Sequence, residues 1–115
     1  FYCSKPSSRE KNEGLDDFED KIIEGRDEGQ DERNVPQKKR PTSSKNFHPT
    51  IKSVKLMSYL INMITPPNGI VLDPFLGSGS TGVAAVKNNY NFIGIEKECE
   101  YMDISKARIK YANKI

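Results

Sequence analysis

Apolar and polar positions divide this chain into two unlike parts. From Val54 onward, Met57, Leu60, Ile61 and Ile64 recur at helical spacing with Lys55, Ser58 and Asn62 between them. That spacing predicts an amphipathic helix, stopped by Pro66-Pro67. After an Asn68-Gly69 turn, the β-branched run Ile70-Val71-Leu72 predicts a short buried parallel strand. Asp73 to Gly79 is a glycine-rich loop, and Thr81 to Lys87, rich in Ala and Val, supports a second helix ended by Asn88-Asn89-Tyr90-Asn91. Phe92-Ile93-Gly94-Ile95 supplies a second strand. A last helix runs from about Glu98, with Tyr101, Ile104 and Ile109 facing inward. Lys106, Arg108 and Lys110 lie near its basic end, where they suit the negative end of the helix dipole. The order is that of one βαβ unit with flanking helices, an α/β fold of about two parallel strands and three helices. There is no internal repeat.

The first part has a different character. Ser4 to Lys45 is polar, and Gly25, Gly29, Pro36 and Pro41 punctuate a run of alternating charge. Asp16-Asp17-Phe18-Glu19-Asp20-Lys21-Ile22-Ile23 predicts a short helix with Phe18, Ile22 and Ile23 on one side. The rest buries too little apolar surface to offset chain entropy, so a loop-rich, weakly structured arm is expected over residues 1–45 unless a partner orders it. Lys38-Lys39-Arg40 reads either as a phosphate-contacting patch or as a solvated linker face. Residues 46–115 form the expected folded domain.

Composition sharpens this division. Only 35% of the 115 residues are apolar and 30% are charged, a thin core for one domain. Up to Lys45 there are ten basic and eleven acidic side chains, and from Asn46 onward eight basic and five acidic, so the net positive charge sits with the folded part. No apolar run approaches the roughly 18 residues of a membrane-spanning helix. The opening Phe1-Tyr2-Cys3-Ser4-Lys5 has no secretory h-region, and a first residue other than Met suggests a processed or fragmentary polypeptide. Cys3 and Cys99 are too few for a disulfide scaffold or a four-cysteine zinc site, so no metal is expected and a reducing cytoplasm fits best.

The chemistry concentrates in Asp73-Pro74-Phe75-Leu76-Gly77-Ser78-Gly79-Ser80-Thr81-Gly82. Gly77, Gly79 and Gly82 match G-x-G-x-x-G between a predicted strand and a predicted helix, where the backbone must turn sharply and let a ligand approach. Glu96 follows nineteen positions after Gly77, at the end of the next strand, where a carboxylate can accept from both hydroxyls of a ribose. Together they indicate nucleoside binding. A dinucleotide would set its pyrophosphate on the following helix N-terminus. Asp73 would oppose those phosphates but would pair with an ammonium, which favours S-adenosylmethionine. The carboxylate of that ligand then needs donors or a cation, and Phe47-His48-Pro49-Thr50-Ile51-Lys52 offers them. A dinucleotide-binding oxidoreductase half-domain is the less favoured reading.

The segment Asn46 to Met57, the Asp73-to-Gly82 loop and Phe92-Ile93-Gly94-Ile95-Glu96, in this order, closely resemble the C-terminal, cofactor-binding half of DNA adenine-N6 or cytosine-N4 methyltransferases of the permuted class. The resemblance covers Asn46 to Ala112 and is looser from Phe1 to Lys45, which looks like the end of a target-recognition region and its linker. It implies part of a Rossmann-like S-adenosylmethionine-dependent fold, with double-stranded DNA as partner. It further implies that Thr50 and Lys52, helped by His48, hold the methionine carboxylate, and that Asp73, Phe75, Gly77 and Gly79 line the methionine and ribose. Ser80 or Thr81 would add donors at the helix start, Glu96 would take the ribose hydroxyls, and Lys97 or Cys99 would flank the adenine. His48-Pro49 as a mere entry turn and Phe75 as core packing remain the alternatives. Ser53 departs from the proline usual at its place in the family.

Methyl transfer to an amine within DNA requires a flipped, stacked base with a polarised amino group. In the resembled family an acidic or amide residue followed by Pro-Pro and an aromatic does this. Thr65-Pro66-Pro67-Asn68 lacks both the acceptor and the aromatic and reads as a helix stop, so no catalytic residue is expected here. The chain is expected to work with a missing N-terminal catalytic half or with a second copy, since two strands leave open edges and a bare sheet face. A non-catalytic remnant acting as an interaction module is the alternative.

Overall fold

The computed structural model describes residues 3–23 and 42–114. The cluster Lys38-Lys39-Arg40 lies outside them. The elements are α1 (Ser8–Asn12), β1 (Lys21–Ile23), β2 (Thr42–Ser44), α2 (Val54–Ile64), β3 (Ile70–Asp73), α3 (Ser80–Lys87), β4 (Asn91–Gly94) and α4 (Cys99–Ala112).

The βαβ unit forms within a residue or two of its expected bounds. β3 and β4 pair in parallel, in register from Ile70 opposite Asn91 to Asp73 opposite Gly94. The ladder continues past the strands, with the Ile95 N–H donating to the Asp73 carbonyl and the Leu76 N–H to the Ile95 carbonyl, each at 2.9 Å. α3 makes the crossover and packs against α2, α4 and β4. Ile61, Ala84 and Ala85 form the buried centre, with Val54, Met57, Val71, Tyr90 and Phe92 packed around them. Alanines on α3 let α2 approach closely, and removing Ile61 from water alone contributes about 1.5–3 kcal/mol.

α2 starts where its sequence can cap it. The Ser53 hydroxyl accepts from the Leu56 N–H, and the Glu10 carboxylate Oε1 accepts from the Val54 N–H at 2.8 Å. Two orphan donors of the first turn are thereby satisfied. A serine at 53 thus has a local structural reason. Thr65 caps the far end before Pro66-Pro67, as the helix-stop reading expects.

Coverage of the apolar faces is incomplete. The stripe Met57, Leu60, Ile61, Ile64 is split: Ile61 is buried, whereas Ile64 is 77% exposed. On the sheet, Val71 and Phe92 face the helices. Ile70, Leu72, Ile93 and Ile95 occupy the opposite face and are all more than half exposed.

The N-terminal segment departs from expectation. Residues 16–23 are not helical: a turn leads into β1, which pairs antiparallel with β2 from Lys21 opposite Ser44 to Ile23 opposite Thr42. An isolated eight-residue helix is marginal in water, and strand pairing satisfies the same backbone groups. The helix forms upstream instead, where Ser7 caps α1 by accepting from the Glu10 N–H. Leu15 and Asn46 are essentially inaccessible. Asn12 Oδ1 accepts from the Asn46 N–H and the Ser44 hydroxyl, and Asn46 Nδ2 donates to the Lys11 carbonyl at 2.8 Å. These paired asparagines fasten the segment leading to His48 onto α1.

Candidate functional site

The C-terminal ends of β3 and β4 are neighbours, which brings Asp73 and Glu96 to one edge of the unit. Asp73 Oδ1 accepts from the Phe75 N–H at 3.0 Å, turning the chain sharply out of the strand. No described residue engages its other oxygen. Phe75 lies 89% exposed at the rim, which sets aside the core-packing alternative for that ring.

Glu96 reaches back across the loop. Its Oε2 accepts from the Gly77 N–H at 2.6 Å and its Oε1 from the Glu98 N–H at 2.9 Å. Each carboxylate oxygen retains acceptor capacity beyond these bonds. The Glu98 N–H is the chief reason the Glu96 carboxyl lies below its ordinary range. Burial opposes it, and the Gly77 and Lys97 N–H groups and His48 add to it.

His48 packs against the other side of the same loop. A Cβ at Gly77 would come within 2.7 Å of His48 Nε2, and Gly77 itself has φ +56°, so the backbone favours glycine and any side chain would displace the imidazole. The Thr50 N–H donates to His48 Nδ1 at 3.2 Å, so the neutral ring carries its proton on Nε2. The Tyr101 ring stands edge-on to the imidazole with centroids 4.5 Å apart, and Phe47 lies 5.6 Å from Tyr101 on the same side. Burial holds the imidazole below its ordinary value; the Glu96 carboxylate opposes this, and the Lys52 and Arg108 cations add to it. Lys52 is solvent-exposed, and its field reaches the same imidazole as that of Glu96.

The structure therefore gathers His48, Thr50, Gly77 and Glu96 into direct contact, with Lys52 acting on the same ring and Asp73 and Phe75 at the adjacent strand end. Gly79 caps α3 at φ +83°. The two candidate donors of α3 differ. Thr81 is partly exposed, whereas Ser80 is buried with its hydroxyl 3.4 Å from Arg108 Nη1. Among the described residues, no group of three or more His, Cys, Asp or Glu side chains is arranged to hold a metal ion. No described helix is long and apolar enough to cross a membrane.

Arg108 was not singled out by the sequence reasoning, which grouped it with the basic end of α4. It is 2% exposed. Nη1 donates to the Ser78 carbonyl at 2.7 Å and to the Ser78 and Ser80 hydroxyls, and Nη2 donates to the Glu10 carbonyl at 3.3 Å. Burial pushes its pKa down, against the pull of the Glu10 and Glu13 carboxylates. One signal was available: Arg108 falls four residues after Ile104 and four before Ala112, on the buried stripe of α4.

The chain is 48% identical over 61 residues to the type II methyltransferase M2.MboI of Moraxella bovis, covering 53% of this chain and 22% of that protein. It is 43% identical over 81 residues to the putative methylase YubD of Escherichia coli K12, covering 65% and 36%. The crystal structure of M1.HpyAVI superposes with a TM-score of 0.50 at 52% identity, covering 52% of this chain and 30% of that one. The chain thus spans about a fifth to a third of the length of these relatives. A family model described as DNA methylase, for N6 and N4 methyltransferases, matches residues 4–107. That match takes in the arm as well as the glycine loop and the strand-end carboxylates, and on it the chain belongs to the N6/N4 DNA methylase family.

Proposed function

We propose that this chain provides the S-adenosylmethionine-binding part of a site-specific DNA methyltransferase acting in the cytoplasm on the exocyclic amine of adenine or cytosine, within a Rossmann-like domain. The observation that carries the proposal is the Glu96–Gly77 bond at the carboxyl ends of two parallel strands. It places a carboxylate with spare acceptor sites against a glycine turn, the usual place for a nucleotide in open α/β sheets.

The residues present suit the ligand group by group. Glu96 accepts from the ribose hydroxyls. The unengaged oxygen of Asp73 pairs with the ammonium, while Lys52 and Thr50, with His48 as a neutral N–H donor, receive the carboxylate. Phe75 and the bare backbone at Gly77 and Gly79 flank the ligand, and Thr81 offers a hydroxyl from the first turn of α3. When bound, S-adenosylmethionine supplies an electrophilic methyl group. The residues of this chain bind and orient it. The base-polarising tetrapeptide is absent from these 115 residues, so the base-holding groups that act on double-stranded DNA come from a catalytic half outside them. A second copy of the chain, which lacks them too, would serve only to cover the sheet.

Calorimetry on the 115-residue chain tests this. S-adenosylmethionine and its demethylated product bind with one-to-one stoichiometry, and NAD does not. Binding of NAD in preference to both adenosyl ligands would replace this reading with the oxidoreductase one. Failure of both adenosyl ligands even with the catalytic half supplied would leave the interaction-module reading.

A further inference from the structure

We infer that Arg108 and Glu10 form a clasp that makes the N-terminal segment a working part of the ligand site, with Arg108 as a positioning residue for the glycine loop. The inference rests on the proposed adenosyl-ligand site. It goes beyond that site in assigning a role to two residues that never face the ligand.

The geometry is that of a three-way joint. From α4, the Arg108 guanidinium holds the loop at Ser78 and the start of α3 at Ser80. The same guanidinium holds α1 through the Glu10 carbonyl. Glu10 then turns its carboxylate to the Val54 N–H, fixing the start of α2 directly after Lys52. The glycine turn and the Thr50-to-Lys52 segment, which come from distant parts of the chain, are therefore held in relation to each other through one residue of α1.

Two features argue against mere packing. Neutral oxygens are the direct acceptors for this almost fully buried cation, and its Nε has no hydrogen-bond partner. An apolar side chain would fill the same volume without desolvating a charge. What a hydrophobe lacks is the forked set of donors that can hold a carbonyl and two hydroxyls in one loop and a carbonyl in another element. Gly79 adds to the demand. At φ +83° it sits against Ser105, one helical turn before Arg108 on α4, so the loop follows α4 closely.

The clasp predicts reciprocal coupling: docking of α1 tightens the ligand site, and ligand binding tightens the docking of α1. Hydrogen exchange and calorimetry on the full 115-residue chain test it with Arg108→Lys and Glu10→Ala. Arg108→Lys keeps the charge but loses the fork. Without ligand, Arg108→Lys accelerates exchange of the Gly77 and Gly79 amides at least tenfold and Glu10→Ala does so at the Val54 amide, which loses its carboxylate acceptor, while amides of β3 and β4 stay protected. S-adenosylmethionine affinity falls five- to fifty-fold in each. Ligand slows exchange in residues 8–12 of the native chain but not of Arg108→Lys.

If Arg108→Lys unfolds the chain, Glu10→Ala, which keeps the carbonyl that Arg108 holds and removes only the carboxylate on the Val54 N–H, carries the Val54 exchange and affinity readouts. Unchanged loop exchange in folded Arg108→Lys, or native affinity in either folded variant, overturns the inference. If the native chain binds no adenosyl ligand even with the catalytic half supplied, the proposed function fails by itself. The ligand-free exchange then decides the clasp separately.

Discussion

The Glu96 carboxylate accepts a 2.6 Å hydrogen bond from the Gly77 N–H, tying the end of one strand to the loop that follows its neighbour. Glu96 thus shapes the turn as well as offering acceptors to a ligand. Glu96→Gln retains the size of the side chain but removes the charge and replaces one acceptor oxygen by an amide donor. That group cannot receive a backbone N–H. Calorimetry should show S-adenosylmethionine binding weakened by about 1–3 kcal/mol, the scale for losing bonds to a charged acceptor. Native affinity in this variant would remove Glu96 from the ligand site.

The two loop glycines should respond unequally to alanine. At Gly77 an added Cβ meets the imidazole of His48, a side chain that can shift, whereas at Gly79 it meets the Cβ and Cα of Ser105 in α4 at 2.8 and 3.0 Å. Both substitutions incur the left-handed backbone cost of about 1–2 kcal/mol. Only Gly79→Ala also forces a helix backbone to move. Thermal denaturation should rank Gly79→Ala below Gly77→Ala, and the reverse order would mean that α4 yields more readily than His48.

Much of this arrangement could be read in the residues. Period and turn chemistry located α2, β3, α3, β4 and α4, with Pro66-Pro67 and Asn68-Gly69 separating α2 from β3 and Asn88-Asn89 separating α3 from β4. The interval from Gly77 to Glu96 identified the carboxylate that bridges them, because a βαβ crossover brings consecutive strand ends together. Arg108 was not legible in the same way. A charged residue on a helix usually reads as solvated, and only the tertiary fold supplies the oxygens that let it be buried. The β1–β2 pairing was equally hidden, since its partners, from Ile23 and Thr42 to Lys21 and Ser44, are far apart in the chain and carry no strong alternation. Periodicity showed that Ile64 and Leu72 lie on apolar faces, but it does not encode whether anything covers those faces.

Acid should weaken the fold in two stages. His48 has a folded-state pKa below its ordinary 6.5. As pH falls through 6.5 the unfolded chain takes up a proton that the folded chain does not, and stability drops until the lowered folded value is passed. Glu96 also lies below its ordinary value of 4.5. Its contribution is complete above that value and is lost as pH falls through the depressed one. Melting temperatures measured from pH 8 to pH 3 should fall in both windows. His48→Gln should flatten the first window and Glu96→Gln should reduce the second. An unchanged upper window in His48→Gln would show that the imidazole is no more burdened by protonation folded than unfolded.

The bare sheet face makes a separate, physical demand. Leu72 and Ile93 are register partners at its centre, with Ile70 and Ile95 beside them, and these four side chains are 53–63% exposed. Contiguous apolar surface of this kind drives association when nothing else covers it. At tens of micromolar the chain should sediment above its 13.0 kDa monomer mass. Leu72→Lys or Ile93→Lys places a solvated charge in the middle of that face without touching the α2–α3 core on the other side. Each should weaken self-association by at least about tenfold, or 1.4 kcal/mol, and leave the melting temperature of the dilute chain nearly unchanged. A native chain that stays monomeric at those concentrations would mean that four exposed aliphatic side chains on a two-stranded sheet are too small a surface to hold two copies together.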